Sequence, residues 1–218
     1  MKFIIGNWKM NGSISEKDTV FKELSKIKTK NKIIMCLPFT LLNGENHNIT
    51  IGAQDVSNHE NGAYTGDISA KMLNDVGAQY VIVGHSERRL YHNETNEIVR
   101  EKATMAIKNG IIPIICVGET MEEKNAGHTI SVIKKMLTES IPESGEYVVA
   151  YEPRWAIGSG ITPSENDIVT AVKTVFDTLP NPMPVLYGGS VNANNARDIV
   201  SIPYIHSIIK YLSGIKQL

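Results

Sequence analysis

Short apolar runs recur along the chain at residues 3–5, 33–37, 49–53, 80–83, 111–117, 147–151 and 184–187. Longer polar segments separate them, and in these the hydrophobic positions return with helical spacing. The runs are nearly continuous rather than alternating, which is the pattern of strands buried on both faces of a parallel sheet. Two of the intervening segments open on helix-start signals. Thr120-Met121-Glu122-Glu123 reads as a capping box. Thr162-Pro163-Ser164-Glu165 reads as another, with proline at the first helical position, where its missing N–H is not needed. The order is therefore β then α, seven times over, with no linker or low-complexity stretch. One domain over residues 1–218 is expected, either a doubly wound sheet or a (β/α)8 barrel.

The last segment departs from this order. In Ile205-His206-Ser207-Ile208-Ile209-Lys210-Tyr211-Leu212, apolar residues at 205, 208, 209, 212 and then 215 keep helical spacing. A terminal helix is expected there, and no eighth strand is visible. A barrel of this kind runs to about 250 residues, so the shortfall matches one strand and some trimmed loops.

Composition narrows the function classes. Of 218 residues, 42% are hydrophobic and 21% charged, and 22 Lys and Arg nearly cancel 23 Asp and Glu. That balance suits a soluble globular protein and offers no bulk basic field for nucleic acid or an anionic membrane. An anionic ligand would have to be held by local groups. Cys36 and Cys116 both lie inside apolar runs and read as buried free thiols in a reducing compartment. No apolar stretch approaches the ~20 residues that span a bilayer, and the N-terminus has no signal-peptide pattern. A cytoplasmic location is expected.

In a parallel βα barrel, polar residues just past the C-terminal strand ends converge on one mouth. Those positions hold Gly6-Asn7-Trp8-Lys9, Gly84-His85-Ser86-Glu87-Arg88, Glu152-Pro153-Arg154-Trp155 and Gly188-Gly189-Ser190. A lysine, a histidine and a glutamate would face one another there, and the glycine-rich turn would add amides for a phosphate. The set suits proton abstraction beside a carbonyl: a carboxylate base, an imidazole that polarises oxygen, and a cation for the developing charge. Taken singly each has a plainer reading. Lys9 could be a solvated lysine and His85 a structural one, the paired glycines mark many turns, and Trp8, Trp155 and Cys116 suit packing. Glu152 is harder to dismiss, because a carboxylate ending a buried strand needs a reason.

Together the segments resemble one family. Gly6-Asn7-Trp8-Lys9-Met10-Asn11-Gly12, Gly62-Ala63-Tyr64-Thr65-Gly66-Asp67-Ile68-Ser69, Val81-Ile82-Val83-Gly84-His85-Ser86-Glu87-Arg88-Arg89, Ala150-Tyr151-Glu152-Pro153, Trp155-Ala156-Ile157-Gly158-Ser159-Gly160 and Tyr187-Gly188-Gly189-Ser190-Val191 are similar to triosephosphate isomerases, in family order, over about residues 3–200. The resemblance implies a TIM barrel and a cofactor-free, metal-free aldose–ketose isomerase. It implies that Glu152 moves the substrate proton while a neutral His85 donates to the carbonyl oxygen. Lys9 would hold the substrate's charge, with Asn7 orienting it, and Glu87 would pair with Lys9 or relay protons. Segment 153–160 would be a mobile lid with Gly158 offering its amide to the phosphate. Ser190, opening the helix after strand seven, and Gly189 would be further phosphate ligands. The loop from Gly62 to Ser69 would dock into a second subunit, making a homodimer in which Thr65 approaches the partner subunit's Asn7 and the partner subunit's Lys9.

Three departures stand out. Arg154 occupies a lid-hinge position that is usually apolar, and Asp67 stands where glutamate is common. The family's strand ending in a phosphate-clamping Gly-Gly pair is not seen after Tyr204, so the eighth strand and its loop are expected to be missing or truncated. This motivates an alternative, a scaffold of the same family whose activity is lost through the C-terminal gap. A Schiff-base aldolase or lyase is disfavoured because no later strand carries an interior lysine. A metal-dependent sugar isomerase is disfavoured because no His/Asp/Glu cluster has ligand spacing.

Overall fold

The structure, a computed structural model, describes residues 2–44, 46–47, 49–157, 161–179 and 185–211. Eight parallel strands close into a barrel in sequence order: β1 (Phe3–Asn7), β2 (Lys32–Leu37), β3 (Thr50–Ala53), β4 (Tyr80–Val83), β5 (Ile112–Val117), β6 (Val148–Tyr151), β7 (Val185–Tyr187) and β8 (Ile205–Tyr211). Around them run α1 (Ile14–Leu24), α2 (Ala70–Asp75), α3 (Ser86–Tyr91), α4 (Asn96–Lys108), α5 (Met121–Asn125), α6 (Thr129–Ser140), α7 (Glu165–Thr178) and α8 (Ala196–Ile199). Ser13, Ser69 and Thr95 start α1, α2 and α4 by accepting a backbone N–H three residues on.

Two faces of each strand are buried, which is why the sequence shows runs instead of alternation. Inside the barrel pack Ile5, Ile34, Cys36, Ile82, Ile114, Cys116, Val148, Leu186 and Ile209, among others. A larger cluster, including Phe21, Leu73, Val99, Ile133, Leu137 and Val172, fills the space between strands and helices.

The expectation of a missing eighth strand is overturned. Residues 205–211 form β8, which pairs with β7 on one side and with β1 on the other, Ile4 opposite Ile208 through Asn7 opposite Tyr211. No terminal helix occupies these positions, and the barrel has no open edge there. A bulge explains the misreading. Val185 faces Ile205 but Leu186 faces Ser207, so β8 carries one extra residue. Ile205 and Ile208 both reach the outer core although they lie three residues apart, while Ile209 is inside the barrel. That spacing imitates one face of a helix. Ser207, 1% exposed, is held in its buried place by accepting the Phe3 N–H at 2.5 Å.

The helix-start signals were partly displaced. Thr120 caps α5 with a full capping box through Glu123, as expected. For α7 the cap is Ser164 with Asp167, two residues later than Thr162, so Pro163 precedes the cap instead of opening the helix.

Candidate active site

Asn7 ends β1 and is 4% exposed. Its side-chain oxygen accepts the Lys9 amide at 2.9 Å, which bends the chain back over the barrel mouth. Lys9 itself has φ of 51°, a left-handed conformation costly for a residue with a Cβ. The turn directs its ammonium at Glu87, and Lys9 Nζ lies 2.5 Å from Glu87 Oε1. The pairing expected for Glu87 is therefore made.

His85 follows Gly84 at the end of β4 and caps α3. Its Nδ1 accepts the Glu87 amide at 3.2 Å, so that nitrogen carries a lone pair and the ring proton sits on Nε2. Nε2 in turn lies 3.8 Å from Glu152 Oε2. Glu152 directly follows β6 and is 1% exposed, with its amide bonded to the Val117 carbonyl. An unbroken line of contacts thus runs Lys9, Glu87, His85, Glu152 across the mouth. The residues come from loops after β1, β4 and β6, yet they share one end of the barrel.

Two glycines make room for Glu152, one beside its backbone and one beside its side chain. A Cβ on Gly118 would lie 1.9 Å from the Glu152 carbonyl oxygen, and one on Gly188 would lie 2.9 Å from Glu152 Cγ. Gly189 stands against Tyr187, whose hydroxyl a Cβ there would strike at 2.1 Å. Beneath the site, burial pushes the Cys116 thiol well above its usual pKa, and the negative charge of the Glu152 carboxylate acts the same way.

Ser190 does not open a helix. Its hydroxyl donates to the Ala156 carbonyl at 2.8 Å and its own carbonyl accepts from Asn195, within a loop that reaches α8 only at Ala196. The Asn192 side chain accepts the Asn194 and Asn195 amides and the Asn195 side chain accepts the Asn192 amide, which fixes the turn between them. Ser190 nevertheless touches segment 153–157, whose residues 154–156 form a 3₁₀ turn. Gly158 lies outside the described residues, as do residues 212–218, which follow β8.

Sequence reasoning missed Glu119. It is 1% exposed and accepts both the Tyr151 hydroxyl at 3.2 Å and the Trp155 indole N–H at 3.0 Å. Trp155, expected as a packing residue, is therefore pinned by a hydrogen bond, and Lys124 Nζ sits 3.9 Å over its ring. The signal was available, since Gly118-Glu119 follows β5 as the other site residues follow their strands.

Among the described residues, no group of three or more His, Cys, Asp or Glu could hold a metal ion. No helix among them is long and apolar enough to cross a membrane. The eighth strand whose absence the inactive-scaffold reading assumed is present; the phosphate-clamping loop expected to be missing after it lies outside the described residues.

The comparisons agree with this geometry. The family model described as Triosephosphate isomerase matches residues 2–209. A triosephosphate isomerase of Rhodopseudomonas palustris is 39% identical over 226 residues, covering 94% of this chain and 89% of the relative. One from Delftia acidovorans is 42% identical over 218 residues, covering 92% and 88%. The crystal structure of triosephosphate isomerase from Bartonella henselae superposes with a TM-score of 0.85 at 33% identity, covering 96% of this chain and 92% of that one. A matching model over nearly the whole chain, relatives at this identity and a shared closed barrel give one conclusion: this chain belongs to the triosephosphate isomerase family of isomerases.

Proposed function

We propose that the chain interconverts dihydroxyacetone phosphate and glyceraldehyde 3-phosphate, with Glu152 as the proton carrier. The observation that supports this reading most is the line of contacts from Lys9 through Glu87 and His85 to Glu152 at one barrel mouth. The Glu152 carboxylate takes a proton from the hydroxymethyl carbon next to the ketone. The electrons of that C–H bond form the carbon–carbon double bond, and the carbonyl π pair moves onto oxygen. His85 donates its Nε2 proton to that oxygen and accepts the proton of the neighbouring hydroxyl. Glu152 then returns its proton to the adjacent carbon, which completes the aldehyde. A neutral imidazole suits this exchange, because the Glu87 amide occupies Nδ1 and leaves Nε2 as the donor.

Lys9 balances the charge of the phosphate and enediolate, and Asn7 fixes the turn that presents it. Ser190 and Gly189 bind the phosphate beside Gly158, and segment 153–160 closes over the substrate. Exclusion of water keeps the electrostatics strong and protects the enediolate from losing phosphate. The hydrogen bonds of Trp155 to Glu119 and of Ser190 to Ala156 support this view, since they tie that segment to both neighbouring loops. The reaction requires no cofactor or metal.

The partner is a second copy of the chain, docked through residues 62–69. Residues 61–67 are all exposed, and Tyr64 is stacked on His59 at 3.7 Å, so the loop is ordered by its own contacts. Met10, Leu90 and Tyr91 are large exposed apolar side chains following β1 and β4 at the same barrel end, as a partner-facing surface requires. Two buried free cysteines suit a cytoplasmic enzyme.

The test is a coupled assay of both triose phosphates without metal or nucleotide, beside Glu152→Gln. Turnover is expected to fall at least ~10²-fold in the variant, the scale of losing a general base. Equal rates would remove Glu152 from its role.

A further inference from the structure

Arg89 takes no part in the proton transfer, yet its guanidinium lies at the base of the site. Nε donates to the Gly84 carbonyl at 2.8 Å, Nη1 to Asn96 Oδ1 at 2.6 Å, and Nη2 to the Cys116 carbonyl at 3.3 Å. Gly84 directly precedes His85. Cys116 lies in β5 next to Val117, whose carbonyl accepts the Glu152 amide at 2.8 Å. One planar cation therefore joins the strand that delivers the imidazole to the strand that supports the carboxylate. Asn96, the first residue of α4, is fixed from the far side by donating to Glu139 Oε2 on α6 at 2.7 Å.

The backbone is shaped around this group. Gly84 has φ of +66°, and a Cβ there would lie 2.9 Å from Arg89 Nη2 and 2.7 Å from Val99. The three acceptors point in different directions, and a rigid fork of N–H groups reaches all of them where an ammonium would reach one or two. These bonds all go to neutral oxygens. Errors of about 1 Å in placing reacting groups cost on the order of 10²-fold in rate. The separation of His85 Nε2 from Glu152 Oε2, 3.8 Å, is the quantity that this bridge controls.

We propose that Arg89 is a positioning residue for the isomerisation, holding His85 and Glu152 in register by bridging the ends of β4 and β5. The inference rests on Glu152 and His85 as the reacting pair. A cavity of about 470 Å³ between α4 and α6, lined in part by Arg89, Asn96, Lys135, Glu139 and Arg154, gives solvent access to the guanidinium from outside the barrel. A small guanidinium ion can enter it.

The experiment compares Arg89→Ala, Arg89→Lys and Glu152→Gln in the full chain, measuring kcat, KM and thermal unfolding, with methylguanidinium or methylammonium added at non-denaturing concentration. Arg89→Ala is expected to lose roughly 10²-fold in kcat with KM little changed. Arg89→Lys should recover only part of the loss. Methylguanidinium should raise the kcat of Arg89→Ala saturably and methylammonium should not. Wild-type kcat in Arg89→Ala overturns the proposal. So does a loss that moves with KM and with thermal stability and ignores methylguanidinium. Should the alanine variant fail to fold, Arg89→Lys decides: reduced kcat at unchanged KM supports the bridge, and wild-type kcat overturns it. A fully active Glu152→Gln protein would instead overturn the assignment of the base on which the bridge rests.

Discussion

Gly188→Ala offers a sharp perturbation because one methyl group meets both the barrel wall and the proposed base. The new Cβ would lie 2.5 Å from Ile209 Cγ2, 2.9 Å from Glu152 Cγ and 3.2 Å from Glu152 Oε1. Ordinary contact between carbon atoms is roughly 3.5–4.0 Å. Ile209 must therefore withdraw by about 1 Å or more, and the Glu152 side chain by somewhat over half of that. Ile209 is fully buried inside the barrel and Glu152 is 1% exposed, so neither has free space to occupy. Overpacking of this kind costs about 1–3 kcal/mol, and a displaced base costs on the order of 10²-fold in rate. Thermal unfolding and steady-state kinetics read the two consequences separately. A double-mutant cycle with Ile209→Ala apportions them. Truncating Ile209 alone should cost about 2–5 kcal/mol through the cavity it leaves. In the Gly188→Ala background it should cost less, while kcat stays low because the contact with Glu152 persists. Unchanged kcat and unchanged thermal midpoint in Gly188→Ala would refute the reasoning.

Two further expectations follow from groups outside the reaction. Glu94 Oε1 accepts from Lys102 and from Arg88, and both cations also reach Asp55, in a cluster where Glu94 and Lys102 are buried and Arg88 and Asp55 partly so. Glu94→Ala strands part of that charge and should cost roughly 3–5 kcal/mol, lowering the thermal midpoint by on the order of 10 °C for a chain of this size. The kcat of the folded variant should stay near wild type, and an unchanged midpoint would contradict the account. Burial pushes the Cys36 thiol up to about 12 and holds Cys116 well above its usual value. Since a raised pKa keeps the thiolate scarce below that value, iodoacetamide at about pH 8 should label denatured chain and spare native protein. Rapid labelling of the native state would count against it.

Seven strands and the polar residues at their ends were legible because strands buried on two faces leave unmistakable apolar runs. β8 was not, and the reason is local. Its bulge sets Ile205 and Ile208 three positions apart on the outer face, and periodicity alone cannot separate that from a helix. Ser190 was misplaced because Gly-Gly-Ser before a polar stretch resembles a helix start, whereas asparagine side chains hold the residues that follow in turns as far as Ala196. Lys9, His85 and Glu152 were found through their positions just past strand ends. Arg89 escaped that rule because its proposed role depends on carbonyls contributed by the ends of β4 and β5, and carbonyls carry no signature in a sequence. Glu119 obeyed the rule and would have been found by applying it to β5.

The central claim is that Lys9, His85 and Glu152 surround one small phosphorylated guest. A crystal structure of the protein soaked with a two-carbon phosphorylated carboxylate, a mimic of the enediolate, tests it most directly. The mimic's carboxylate is expected within hydrogen-bond reach, roughly 2.6–3.2 Å, of both Lys9 Nζ and His85 Nε2, with the Glu152 carboxyl against its carbon. A mimic bound away from these groups, or seated among them while Glu152 points elsewhere, would contradict the account.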